Sequence, residues 1–339
     1  MRVSIKDIAR IAGVSIATVS LALNDDKKIN PETKQRIKEL ARKLNYEPDQ
    51  AARELRLRKT SVIGSIVPGF YGTFMPGLLE GIEAAATLEN YTTVLGFTKG
   101  DYGKECDYIN LMKSKNAAGL IIFLSGNNEY YRHVLELKEE KYPFVLIDRY
   151  IENVETDFVG VDNVQGGYEA GKYLLGLGHK EIGFLYREEC SSIEDRIKGL
   201  KKAFNDSGVF FRDDLVLKFS VVSEDAAFSE IKDYFLVQKP TAIMAGNDMT
   251  AIKVQNVARQ LGIKIPEELS LVGFDDIEVA SLLSPSLTTV SQPIHVIGRE
   301  AVKMLIEKIK GRAKGYSRKI LPVKLIIRES TSVPGLINN

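Results

Sequence analysis

From residue 62 onward the chain alternates short, unbroken apolar runs with longer amphipathic ones, and few folds tolerate that alternation. The runs are SVIGSIVP, YTTVLGFT, AAGLIIFL, PFVLID, DFVGVD, EIGFLY, TAIMAG and LSLVGF. A strand apolar on both sides has to be covered on both sides, and helices supply the cover when strands run parallel. Segments such as MPGLLEGIEAAATLEN and VQGGYEAGKYLLGLG lie between the runs with apolar residues at helical spacing. The pattern predicts an α/β module of two consecutive doubly wound lobes. With 339 residues there is chain enough for more than one core.

The first 60 residues have another texture. They hold 14 Lys or Arg against 8 Asp or Glu, a charge of +6, while the remainder carries 32 against 37, or −5. A small basic unit joined to a mildly acidic one predicts a polyanionic partner for the N-terminus. Ser4 and Asp7 open a helix with Ile5, Ile8, Ala9 and Ala12 on one face, and Gly13 stops it. Ser15 caps a second helix in which Val19, Ala22 and Leu23 point inward. Asn30 and Pro31 begin a third, buried along Ile37, Leu40, Ala41 and Leu44. Two helices joined by a tight Gly turn make a helix-turn-helix. Helix spacing alone also fits a three-helix bundle with no role on DNA, against which the local charge argues.

On the helix-turn-helix reading, Ile16, Ala17, Ser20 and Leu21 form the outer stripe of the second helix. Apolar side chains read the thymine methyl group in the major groove, while Thr18, Ser20 and nearby cations bind phosphates. Ser4, Ser15 and Asn24, at the helix ends, complete the candidate DNA surface. Residues 50–61, QAARELRLRKTS, place Arg53, Arg56, Arg58 and Lys59 around Leu55.

The combination of IKDIARIAGVSIATVSLALN, KINPETKQRI and LNYEPDQAARELR resembles the lactose/galactose repressor family of bacterial transcription regulators. The likeness continues through LIDR, VDNVQGG, AGND, LVGFDDI, SLTTVSQP and RES, nearly the whole chain. It implies an N-terminal all-α helix-turn-helix domain over residues 1–48, a hinge helix and linker over 49–61, and an effector-binding and dimerisation module over 62–339. That module is similar to periplasmic sugar-binding proteins. Its first lobe is expected at about 62–161 and 290–322, its second at about 162–289 and 323–339, with crossings near Gln292 and Pro322. In the family the hinge helix folds on the operator and pushes a Leu into the minor groove, a position that Leu55 matches. The resemblance further implies a homodimer on a pseudo-palindromic double-stranded operator, controlled by a small effector. Leu21 departs from the many relatives with Arg there.

Ligands of open α/β sheets sit beyond the carboxyl ends of the strands. Asp148 ends one apolar run, Asn247 and Asp248 follow another, Asp275 and Asp276 a third, and Arg196 lies on the helix after EIGFLY. Carboxylates accept hydrogen bonds from hydroxyls and Arg donates two in a fixed fork, a mixture suited to a polyol. The family's site matches at Asp148, Arg196, Asn247 and Asp275, although each alone also reads as a cap or an ion pair. The loop PGFYGTFMPG is expected to bring Phe70, Tyr71 or Phe74 to the cleft, with core packing the rival for Phe74. That loop lacks the family's usual Asp and Asn-Pro pair, and Val221 stands where some relatives carry an aromatic ring. A sugar is the expected effector, with a nucleobase, nucleoside or phosphorylated metabolite acting as corepressor the alternative.

Enzymatic chemistry finds little support. Asp148 and Asp275 would have to flank a glycosidic bond, yet nothing in the sequence marks either carboxyl as raised in pKa. GLGHKEIG has misspaced glycines that precede a strand, and no phosphate-binding GxxxxGKS/T run occurs. His133, His179 and His295 are dispersed and are expected on the surface or in loops. No cofactor or metal is expected. Cys106 and Cys190 read as reduced structural thiols. The N-terminus shows no export signal and no run approaches the length of a membrane span, which predicts a cytoplasmic protein. A free sugar carrier would leave the first 60 residues without a use.

Overall fold

The computed structural model describes residues 3–46, 60–70, 73–125, 131–220 and 223–335, and the chain divides into two units, Met1–Thr60 and Ser61–Asn339. The first contains α1 (Ile5–Ala12), α2 (Ile16–Leu23) and α3 (Pro31–Lys43). Each starts where the local chemistry requires. Ser4 forms a capping box with Asp7, Ser15 accepts the N–H of Thr18, and Asn30 accepts that of Glu32 ahead of Pro31. Gly13 ends α1 at φ 67°, a left-handed conformation that suits glycine. Ile8, Ala9, Val19, Ala22, Ile37 and Ala41 make the small core, with Leu23, Leu40 and Leu44 half-buried around it. The side-chain N–H of Arg36 donates to the Ala12 carbonyl at 3.1 Å and ties α3 to the end of α1.

The second unit holds two six-stranded sheets. The first lobe begins with β1 (Val62–Val67), α4 (Phe74–Leu88), β2 (Thr92–Phe97), α5 (Tyr102–Ser114) and β3 (Leu120–Ile122). It continues with α6 (Arg132–Glu139), β4 (Phe144–Ile147) and β5 (Phe158–Val161). The chain then enters the second lobe through α7 (Asn163–Gly176), β6 (Ile182–Tyr186), α8 (Ser191–Asp206), β7 (Val216–Lys218) and α9 (Glu224–Gln238). After β8 (Ala242–Ala245), α10 (Asp248–Gln260), β9 (Ser270–Asp275) and β10 (Thr288–Ser291), it crosses back at Gln292 into α11 (Ile294–Ile309) and β11 (Arg318–Leu321). A last crossing gives β12 (Lys324–Ile326).

The strand orders are β11-β5-β4-β3-β1-β2 and β12-β10-β9-β8-β6-β7. All pairs are parallel except β10 with β12, which joins the second sheet from the opposite direction. β10 runs to Ser291 in the second sheet, so the crossing falls just beyond the expected limit of 290. β3, β4 and β5 are buried on both faces, as their unbroken apolar runs require. β7, β11 and β12 lie outside the eight apolar runs because they are short, partly exposed strands whose pairing is set by distant partners.

Of the three histidines, expected on the surface or in loops, His133 departs by lying buried on a helix, while His179 occupies a loop as expected but is buried there. His179 is buried because Nδ1 meets Thr241 Oγ1 at 3.0 Å and Nε2 meets Ser270 Oγ and the Ser332 carbonyl, so all of its polar capacity is used inside. Burial lowers its pKa. His133 is buried on α6, with Nε2 2.6 Å from Glu105 Oε1. Only His295 is exposed.

Candidate DNA-recognition face and effector crevice

Capping and recognition compete on the first unit. Ile16 and Ala17 are exposed on α2, with Ile16 at 44%, while Ser20 and Leu21 are half-buried. Ser4 Oγ is bound to Asp7 Oδ2 at 2.7 Å, and Ser15 Oγ lies 2.9 Å from Thr18 Oγ1 while accepting the Thr18 N–H. Asn24 donates its amide to the Ser20 carbonyl at 2.7 Å. Ser4, Ser15, Thr18 and Asn24, expected on DNA, are therefore engaged at the helix ends, and the exposed residues in the first turn of α2 are the apolar Ile16 and Ala17. Arg53, Leu55, Arg56, Arg58 and Lys59 lie outside the described residues, as do Tyr71 and Val221.

The crevice of the second unit is built by close helix packing. A Cβ at Gly167 would stand 2.1 Å from the Arg196 carbonyl oxygen, and one at Gly199 2.0 Å from that of Val164. Two glycines thus let α7 and α8 touch backbone to backbone, and that approach brings Arg196 to the first residue of α7. Arg196 is 4% exposed; its Nε donates to Asn163 Oδ1 at 2.8 Å and its Nη1 to the Gly246 carbonyl at 2.5 Å. The guanidinium lies 3.6 Å from the centre of the Phe274 ring, a stacking arrangement open to Arg but not to Lys.

Asp275, at the end of β9, accepts the Gln292 amide N–H at 2.7 Å and lies 3.9 Å from Arg196 Nη2. Burial drives its pKa well above the usual carboxylate range, against the pull of Arg196, with Asp248 and Asp148 adding to the rise. Asp248 is fully buried, accepts Thr289 Oγ1–H at 2.5 Å and the Ile277 N–H at 2.9 Å, and is pushed by burial to about 7. Nothing in the sequence marked the Asp275 carboxyl as raised, and the structure raises it. The cause is tertiary burial, which leaves no mark in the local sequence.

Asp148 follows β4 in the first lobe and accepts a 3.4 Å hydrogen bond from Ser192 on α8 of the second. Asp148, Asp275 and Asp276 all adopt positive φ, at 62°, 121° and 58°. Such backbone costs of order 1–3 kcal/mol per residue and concentrates where side chains are aimed at a ligand. Asn247 spends its carbonyl oxygen capping α10 at Thr250 N, and its amide nitrogen has no partner among the described residues. Phe70, beyond β1, is 59% exposed with its ring 4.9 Å from that of Phe97. Phe74 is buried in the main core.

The structure adds residues that the sequence reading did not select. Asn163 positions Arg196, and Gln292 holds Asp275 while its Oε1 is buried without a partner. Both stood in quoted motifs, VDNVQGG and SLTTVSQP, but nothing local distinguished their side chains. Arg149 Nε is likewise buried without a hydrogen-bond partner, 3.9 Å from Asp148 Oδ2. Its Nη2 donates to Glu188 of the second lobe at 2.7 Å, Tyr150 OH donates to Asp195 at 2.8 Å, and the Glu278 N–H reaches Thr73 Oγ1 at 3.3 Å. These contacts join the lobes across the crevice. Among the described residues, no group of three or more His, Cys, Asp or Glu is placed to hold a metal ion, and no helix is long and apolar enough to cross a membrane.

Known proteins share this arrangement. Residues 4–49 match the bacterial regulatory proteins of the lacI family, and residues 172–331 match the periplasmic binding protein-like domain. The HTH-type transcriptional repressor PurR of Vibrio vulnificus (strain CMCP6) is 31% identical over 330 residues, spanning 96% of this chain and 98% of the relative. The lac repressor dimer bound to operator and the anti-inducer ONPF shares the fold, with TM-score 0.86 at 22% identity over 98% of this chain and all of that one. A LacI family transcriptional regulator from Enterococcus faecium with bound ribose is 29% identical, with TM-score 0.70, over 80% of this chain and 99% of that one. A capped helix-turn-helix unit, two lobes joined by three crossings and near full-length likeness to a repressor lead to one conclusion: the chain belongs to the lacI family of bacterial regulatory proteins and is a DNA-binding transcription regulator with a periplasmic-binding-protein-like effector domain.

Proposed function

We propose that the protein is a cytoplasmic, homodimeric repressor of carbohydrate-utilisation genes, without enzymatic activity, whose affinity for a pseudo-palindromic operator is set by a sugar held between the lobes. The observation that carries this reading is the buried cluster of Arg196, Asp275, Asn163 and Gln292 beside the partnerless amide of Asn247. Alternating donors and acceptors in a desolvated crevice match the alternating hydroxyls of a sugar. The relative from Enterococcus faecium was solved with ribose. Paired α2 helices would lie in successive major grooves, and hinge segments containing Leu55 would meet in the minor groove between them. Closure of the lobes on the effector would shift operator affinity about 5- to 150-fold, for a coupling of 1–3 kcal/mol.

A nucleobase or nucleoside acting as corepressor is the second reading, favoured by the exposed Phe70 ring and the unsatisfied carboxamide oxygen of Gln292. A thermal-shift screen of monosaccharides, sugar phosphates, purines and nucleosides on the full chain, followed by operator titration with each hit, separates the two. A sugar hit that changes operator affinity supports the proposal. Stabilisation by purines alone replaces it.

A further inference from the structure

β4 ends at Ile147, and the next three residues all reach the second lobe. Asp148 turns the chain at φ 62°, and the Arg149 N–H donates back to the Ile147 carbonyl at 2.6 Å, which presents residues 148–150 to the start of α8. Asp148 accepts from Ser192 Oγ at 3.4 Å, and Arg149 Nη2 donates to Glu188 at 2.7 Å. Tyr150 donates its hydroxyl to Asp195 at 2.8 Å and its N–H to Ser191 Oγ at 2.9 Å.

The two long side chains are fixed on the first lobe before they cross. The Arg149 guanidinium lies 4.8 Å from the centre of the Phe123 ring, and its Nη1 donates to the Leu124 carbonyl at 3.2 Å. The Tyr150 ring stands edge-on to Phe158 at 5.6 Å and carries the Arg318 guanidinium on its face at 4.3 Å. Side chains anchored in this way lose little further rotamer freedom when their tips bond to a partner. On the far side, Lys198 holds Asp195 at 3.1 Å, and the next residue is Arg196, bound to Asn163 and stacked on Phe274. Whatever grips the first turn of α8 therefore also places Arg196.

The lobes meet again two strands away. The Glu278 N–H, beyond β9, donates to Thr73 Oγ1, beyond β1, at 3.3 Å, whereas the first set of contacts joins the ends of β4 and β6. Both ties are made by protein groups alone, and their separation lets them resist a hinge motion together. We propose that Arg149 and Tyr150 are positioning residues of the crevice: through Glu188 and Asp195 they clasp α8 to the first lobe before an effector arrives and set how often the crevice opens to admit one. The consequence for effector response rests on the reading of the crevice as the effector site, while the clasp is a property of the chain itself. Closure in advance slows entry of a ligand and strengthens its binding, because the lobes are already ordered.

Two of the ties contain a backbone N–H, so hydrogen–deuterium exchange of the ligand-free, full-length protein, resolved to single amides, reads them directly. Tyr150→Phe keeps the ring against Phe158 and Arg318 and removes only the hydroxyl. It should speed exchange of the amide at position 150 and of the Glu278 amide roughly tenfold or more, the range for losing a hydrogen bond to a charged group. The β8 amides, inside the second lobe, should keep their wild-type rates. Glu188→Gln should act in the same direction but more weakly, because that carboxylate is exposed. Unchanged exchange at position 150 in Tyr150→Phe overturns the clasp. Faster exchange there with Glu278 unmoved reduces it to a local tie and overturns control of opening, and faster exchange in β8 assigns the effect to loss of lobe stability instead. These measurements use no ligand, so a crevice that takes something other than a sugar leaves them untouched and is detected separately by the thermal-shift screen.

Discussion

Arg196 Nη2 and Asp275 Oδ1 stand 3.9 Å apart at the end of β9, close enough to share charge and too far to hydrogen-bond. Asn163 and the Gly246 carbonyl fix the guanidinium, and Gln292 fixes the carboxyl, so neither group is free to close that gap. On the proposed reading, an effector hydroxyl would accept from Arg196 and donate to Asp275. Asp275→Asn keeps the shape and the acceptor for Gln292 but removes the charge. It should leave operator binding intact while weakening effector binding about 10- to 100-fold, the range for losing a charged hydrogen bond. Arg196→Lys should do the same, because an ammonium neither stacks on Phe274 nor reaches three partners. Calorimetry with the effector identified by the screen decides the matter: unchanged affinity in both variants places the site elsewhere.

Gly167→Ala tests whether the helix crossing positions Arg196. The new methyl group would overlap the Arg196 carbonyl oxygen, which is backbone and cannot swing aside. The variant should lose about 1–3 kcal/mol and bind effector more weakly. Gly176→Ala, at the end of the same helix, meets nothing within 4 Å and should be neutral or slightly stabilising. Equal melting temperatures for the two variants would remove the argument from close packing.

Asp248 predicts a pH dependence of stability. Its carboxyl is raised from 3.8 to about 7 in the folded chain, so the folded state binds a proton that the unfolded state releases between those values. The contribution is fully present below pH 3.8 and is lost as pH rises through about 7, amounting to a few kcal/mol. Asp275 is raised in the same direction, so the two titrate together. Asp248→Asn keeps an acceptor for the Ile277 N–H and should flatten the fall in urea-unfolding stability between pH 4 and 7 relative to wild type. Parallel profiles for the two proteins would contradict the assignment.

On DNA, substituting the exposed Ile16 and Ala17 should change which operator is selected from a random pool without altering the fold or the effector response. Leu55→Ala should reduce operator bending in gel-phasing experiments, and neutralising Arg58 should weaken binding to all sequences and lower its salt dependence. Identical selected operators for wild type and the Ile16/Ala17 variant would exclude the outer stripe of α2 as the reading surface.

What the sequence could disclose was what depends on neighbours in the chain. Ser4, Ser15 and Asn30 cap helices through residues two or three positions away, and Gly13 ends α1 through its own φ. The eight apolar runs became central or edge strands because period and composition are local properties. Asp148, Arg196, Asn247 and Asp275 were legible as candidates because each adjoins such a strand or its helix.

Their roles were decided by the tertiary structure. Arg196 meets Asn163, 33 positions earlier, and Gly246, 50 later, only because α7 and α8 pack through paired glycines and β8 ends beside them. Asn247 turned to capping, Phe74 joined the core, and His133 and His179 went inside because partners distant in sequence awaited them. The raised carboxyls of Asp248 and Asp275 have the same origin. Desolvation is a property of everything that surrounds a group, and no window of sequence holds that information.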